Sequence, residues 1–157
     1  MKLLPLLTLW ACCTASAQGV SDVLKSITSA RREIIAVLPQ VASEGMAVAL
    51  KQAAGRGTKV FLITERASIK RGGYLLTVSH GPNSIYTYLY PSRLPEAWVM
   101  VDGAWYVTGP SLDSAQSSAV QINRNPQQLK QLNAWATSVI RKGAVSRVDI
   151  VRLRFTK

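Results

Sequence analysis

The sequence has 157 residues, 19 of them Lys or Arg and 8 Asp or Glu, for a net charge of +11; 48% of positions are hydrophobic and 17% charged. That apolar content excludes a disordered polybasic tail, and the length excludes more than two domains. What remains is a compact basic domain whose charge calls for an anionic partner such as nucleic acid, anionic lipid or an envelope polymer.

Residues 1–17 read as a secretory signal peptide. Met1-Lys2 is a short positive start, Leu3 to Trp10 an apolar run too short to span a bilayer, and Ala15-Ser16-Ala17 a small-x-small cleavage site. A lipoprotein leader, Leu9-Trp10-Ala11-Cys12 with Cys12 lipidated, is the alternative. Cleavage after Ala17 removes Cys12 and Cys13 and leaves one domain, residues 18–157, secreted or periplasmic, with no disulfide and no thiolate metal site. Its core must then hold it, and about 140 residues can bury enough surface to do so.

Ser21 and Asp22 open a helix predicted over 21–32, with Val23, Leu24, Ile27 and Ala30 at helical spacing. Ile34 to Leu38 reads as a strand buried on both faces. Ser43 caps a second helix through Ala54, and Val60 to Ile63 is the next strand, which makes a right-handed βαβ unit. Tyr74–Ser79, Ile85–Tyr90 and Trp98–Thr108 read as strands, the last a hairpin turning at Asp102-Gly103. Val120–Ile122 is a further candidate strand, and Asn125-Pro126 starts a helix reaching Ile140. Val145–Phe155 reads as a bulged strand. The fold class is α/β, a mixed β-sheet with flanking helices.

Catalytic constellations are scarce. With one histidine, His80, and no carboxylate cluster, a zinc or two-metal site has too few ligands, and neither a Gly-x-Ser-x-Gly elbow nor a phosphate loop occurs. His80 lies in Ser79-His80-Gly81-Pro82, where an ordinary turn histidine and a weak catalytic candidate are both open readings.

One spacing stands out. Val99-Met100-Val101-Asp102-Gly103 followed by Val107-Thr108-Gly109 resembles the second half of the phospholipase D signature, His-x-Lys, four residues, Asp, six residues, Gly. Ala53-Ala54-Gly55-Arg56-Gly57-Thr58-Lys59-Val60 is similar to that family's helix end and second strand, and Asn125 to Ile140 to the helix after its motif, so the resemblance covers about residues 20 to 142. It implies a phospholipase D-like half-domain and metal-free, cofactor-free phosphodiester chemistry through a phosphohistidine, a second histidine as acid and base, and lysines with an asparagine or serine on the phosphate.

This sequence departs from that pattern. The histidine position is Pro95 and the lysine position Ala97, and after Gly109 the polar places hold Pro110 and Leu112, with Ser111 and Asp113 displaced by one. The motif is therefore expected to be degenerate. A homodimer recruiting two His80 side chains is the route by which activity would survive, and Asp102 is the other weak catalytic candidate, although a type I′ turn explains it fully.

The charge excess is +3 over 18–60, +2 over 61–90, zero over 91–140 and +5 over 141–157, where six cations face one carboxylate. On the strand expected there, Arg152 and Arg154 form a guanidinium row that, with Arg147 and Ser111, is the expected phosphate-binding set; an edge strand charged against aggregation is the alternative. Trp98, Trp105 and Tyr106 are open between aromatic binding surface and core. The sequence thus points to an exported, catalytically degenerate phospholipase D-like domain binding a phosphate-bearing partner, DNA before anionic lipid. An active homodimeric phosphodiesterase or nuclease, and an envelope scaffold, are the alternatives.

Overall fold

The computed structural model describes residues 16–80, 84–114 and 118–156. In chain order these form β1 (Ser16–Gln18), α1 (Val20–Thr28), β2 (Glu33–Leu38), α2 (Glu44–Gly55), β3 (Lys59–Glu65), a 3₁₀ segment (Arg66–Arg71), α3 (Leu75–Ser79) and β4 (Ile85–Tyr90). Next come β5 (Trp98–Val101), β6 (Trp105–Thr108), a 3₁₀ turn (Pro110–Leu112), β7 (Val120–Asn123), α4 (Pro126–Ile140) and α5 (Arg147–Phe155). The apolar leader, Cys12, Cys13 and the Gly81-Pro82-Asn83 turn lie outside the described residues. Ser16 and Ala17, which the sequence assigns to the leader, pair with Ile122 and Gln121 as part of β1.

All seven strands share one mixed sheet in the order β1-β7-β6-β5-β2-β3-β4, in which β2, β3 and β4 are parallel and the others antiparallel. The βαβ reading holds, with Ile34 opposite Val60 and Leu38 opposite Thr64 across β2 and β3. Alternation along β2 sends Ile34, Ala36 and Leu38 to one core and Ile35 and Val37 to the other. The first core is covered by α1, α2, α3 and α5, and the second by α4 through Ala136 and Val139. Trp98 and Tyr106 are buried in the second core, so they are packing residues and not a displayed aromatic surface.

Local chemistry explains the elements that form as expected. Ser43 Oγ accepts the Met46 N–H at the start of α2, and Asn125 Oδ1 accepts those of Gln127 and Gln128 ahead of Pro126 in α4. Asp102 and Gly103 both take positive φ, 54° and 66°, as a type I′ turn between β5 and β6 requires.

Three expectations fail. Helix α1 is capped at Gly19, not Ser21, and ends at Thr28 because the N–H groups of Arg31 and Arg32 turn to the Asp102 carboxylate instead of to the preceding helical turn. Tyr74–Ser79 is no strand. Leu75 and Val78, three apart, bury one side of α3 in the first core, which outweighs the β preference of the run.

The C-terminal strand is a helix. Ser146 Oγ accepts the Asp149 N–H at 3.1 Å and donates to Asp149 Oδ2 at 2.7 Å, a reciprocal N-terminal cap that the period-two reading of Arg152 to Phe155 overlooked. Only Val145 stays extended, pairing with Thr87 at the outer edge of β4, after which α5 folds onto the opposite face from α4 and buries Ile150 completely. Ile150→Ala is therefore expected to cost about 2–5 kcal/mol in denaturant unfolding and Phe155→Ala, on the exposed side, under about 0.5 kcal/mol. Equal losses would restore the strand.

Candidate functional site

Strands β2, β3, β4 and β6 leave the sheet at one end, and β5 and β7 enter there, so the segments around Pro39, Glu65–Arg71, Pro91–Ala97 and Gly109–Asp113 converge. They enclose a cleft of about 340 Å³ lined by Glu65, Arg71, Arg93, Glu96 and Asp113 among others. Pro95, Ala97 and Gly109 line it as well, so the positions of the signature histidine, lysine and glycine come together in space.

Glu65 organises this cleft. It is only 6% exposed, at the carboxyl end of a parallel strand, yet its carboxylate is fully partnered: Oε1 accepts the Leu94 N–H at 3.0 Å and Oε2 the Arg71 guanidinium at 2.5 Å. Burial pushes its pKa up, but the Leu94 N–H, Arg71 and Arg93 outweigh that and hold the carboxyl below its ordinary value. Asp113 moves the other way. Burial raises its pKa, and the Glu65 charge adds to this, against the N–H groups of Asp113 itself and of Gln40.

With two arginines against three carboxylic acids, the cleft carries no positive excess. Nor, among the described residues, does a histidine, cysteine or lysine line it. Among the described residues, no three of His, Cys, Asp and Glu gather where they could hold a metal ion.

The two motif residues that remain have structural work. Gly109 sits at φ 150°, and a Cβ there would lie 3.0 Å from Val120 Cγ1, so a side chain would strain the backbone and crowd Val120. Asp102 stands at the other end of the sheet, away from the cleft, where its carboxylate accepts the N–H groups of Arg31, Arg32 and Glu33 at 3.1, 2.8 and 3.1 Å. Burial pushes its pKa up, but these three bonds and the Arg32 charge leave it lowered overall.

The remaining sequence candidates are scattered. His80 is exposed at the end of α3, five residues before Ile85, which pairs with Val60 at the end of the sheet opposite Glu65. Ser111 is buried beside the cleft, with Oγ engaged by the backbone and hydroxyl of Ser118, so it pins its own loop. Arg147, Arg152 and Arg154 share α5 instead of a strand face, and Arg152 and Arg154, two apart, point to nearly opposite sides of it. Arg152 pairs with Asp149 at 3.5 Å.

The cleft residues Glu65, Arg71 and Arg93 were not anticipated. The available signal was Glu65 itself, a carboxylate at the carboxyl end of the second strand of a βαβ unit, where sites of open α/β sheets collect.

Comparison with solved structures decides the fold. NucT from Helicobacter pylori superposes with a TM-score of 0.68 at 13% identity, over 85% of this chain and 98% of that one. Nuc from Salmonella typhimurium, a phospholipase D family member, gives 0.65 at 17% identity over 85% and 99%. This is the phospholipase D-like fold. An archaeal chromatin protein with a novel mode of DNA binding, TrmBL2, also resembles the chain, with a TM-score of 0.58 at 7% identity over 87% of this chain and 56% of that one. No family profile matches the sequence, and no curated protein matches it.

In this phospholipase D-like domain, Asp102→Asn is expected to cost about 1–3 kcal/mol at neutral pH, because a charged acceptor of three N–H groups is lost. Since the native pKa is lowered, the stabilisation is complete above the unfolded-chain value and lost as pH falls through the native one. Unfolding curves of parent and variant should therefore converge on acidification, and a gap independent of pH would contradict this role.

Proposed function

We propose that the chain is an exported, catalytically degenerate phospholipase D-like domain that binds a phosphate-bearing polyanion through basic surface outside its cleft. The observation that carries this reading is the cleft lining, in which Pro95 and Ala97 occupy the signature positions and, among the described residues, no histidine, lysine or excess of positive charge replaces what they lack. A phosphohistidine needs an imidazole within reach of phosphorus, and the only imidazole of the chain, His80, does not line the cleft.

The cations gather beside the cleft. Helix α5 packs against α3 and the 3₁₀ segment Arg66–Arg71. Arg66 and Lys142 line one groove there, Arg66 and Lys70 a second, and Leu153 of α5 lines both. Arg147, Arg152 and Arg154 extend this region along α5. A surface of this kind neutralises phosphates without reading sequence. The DNA-binding chromatin protein among the structural neighbours supports nucleic acid as one such polyanion. Export rests on the leader features of residues 1–17; among the described residues no helix is long and apolar enough to cross a membrane.

Fluorescence anisotropy with labelled duplex DNA tests the binding half: affinity is expected to fall tenfold or more between about 50 and 200 mM salt, with Arg66→Glu plus Lys142→Glu flattening the dependence. A chromogenic phosphodiester tests the catalytic half, with no turnover expected from the protein in the presence of chelator. Turnover that disappears in His80→Ala would replace this reading with the homodimeric phosphodiesterase.

A further inference from the structure

The helical form of the C-terminal segment places two large apolar side chains in solvent. Val148 is 67% and Phe155 72% exposed, the two most exposed among the large hydrophobic residues described. They are seven residues apart on α5, which is two helical turns, so they lie on one face about 10 Å apart. The same helix needs neither for its own packing, because it buries Ile150 on the opposite side.

Arg152 lies between them, four residues after Val148 and three before Phe155, on the same exposed face. Arg147 and Lys142 lie close by in sequence, and Arg154 reaches over the Phe155 ring, its guanidinium carbon 6.0 Å from the centroid. Apolar tips with Arg152 between them and a second guanidinium over the Phe155 ring are complementary to one kind of surface in particular. A groove of nucleic acid takes the cations but offers apolar tips only small contacts, a thymine methyl or an unstacked base step. An anionic bilayer takes both, since phosphates meet the cations while Val148 and Phe155 enter the boundary between headgroups and acyl chains.

We infer that α5 docks the domain on an anionic lipid surface, with Val148 and Phe155 as the inserted side chains and Arg152 between them on the lipid phosphates. This rests on the polyanion reading above and names its source. The helix lies flat on the surface, held from behind by Ile150, so docking needs no refolding of the domain.

Sedimentation with phosphatidylcholine vesicles containing about a third phosphatidylglycerol tests it, set against pure phosphatidylcholine vesicles and labelled duplex DNA at the same low salt. The full-length protein is expected to bind the anionic vesicles and not the neutral ones. Val148→Ser with Phe155→Ser should lower that binding tenfold or more while leaving circular dichroism and DNA affinity unchanged, and Phe155→Trp should bind at least as tightly with a blue-shifted emission. Vesicle binding indifferent to the double substitution, or DNA bound while anionic vesicles are ignored, overturns the membrane inference alone. If neither DNA nor anionic vesicles bind, the polyanion reading falls, and the membrane inference with it.

Discussion

A buried carboxylate has to be partnered where it sits, and the way Glu65 meets that demand shapes the upper end of the molecule. Its two oxygens reach in different directions, one to the Leu94 N–H in the connection between β4 and β5, the other to Arg71 at the end of the 3₁₀ segment. One side chain thus ties the 3₁₀ segment to the irregular connection between β4 and β5, beside Pro95 and Ala97. Desolvation would penalise this charge heavily if either partner were missing. Asp102 does the equivalent at the opposite end, fastening the α1–β2 turn to the hairpin between β5 and β6. The sheet is tied at both ends by carboxylates, and neither is left free for chemistry.

Residues at the end of a sheet can be held in place by the shape they give it, whatever chemistry takes place there. Asp102 and Gly109 persist in this chain for reasons of hydrogen bonding and space, while Pro95 and Ala97 carry neither a nucleophile nor a charge. Retention of the spacing therefore says that the sheet end is built in the phospholipase D manner, and carries no information about turnover.

How far the sequence could be read follows from the range of the interactions involved. The βαβ unit, the Asp102-Gly103 turn and the Asn125-Pro126 helix start depend on neighbours a few residues away, and all three are where the pattern puts them. Runs of six to eleven residues such as Tyr74–Ser79 and Val145–Phe155 carry both periods, and the decision falls to what each segment packs against, here the first core. The spacing that links Asp102 to Gly109 was visible, but not its purpose, because the partners of Asp102 lie about 70 residues earlier in the chain. Glu65, Arg71, Arg93 and Asp113 meet only when four chain segments arrive together, so no local window contains the cleft.

The passage of the chain around the edge of β4 gives the molecule a strap. α4 lies on one face and α5 on the other, and between them Val145 holds the rim of the sheet through its N–H bond to the Thr87 carbonyl at 2.7 Å. A strap of this form fails as a unit. Cutting or loosening it near Val145 would at once open a hole where Ile150 sat, release α5 and remove the bridge on the outer edge of β4, a kind of edge that recruits other chains. The basic end of the protein is therefore also a guard against aggregation, and a change to its charge is also a change to what keeps separate copies of the protein apart.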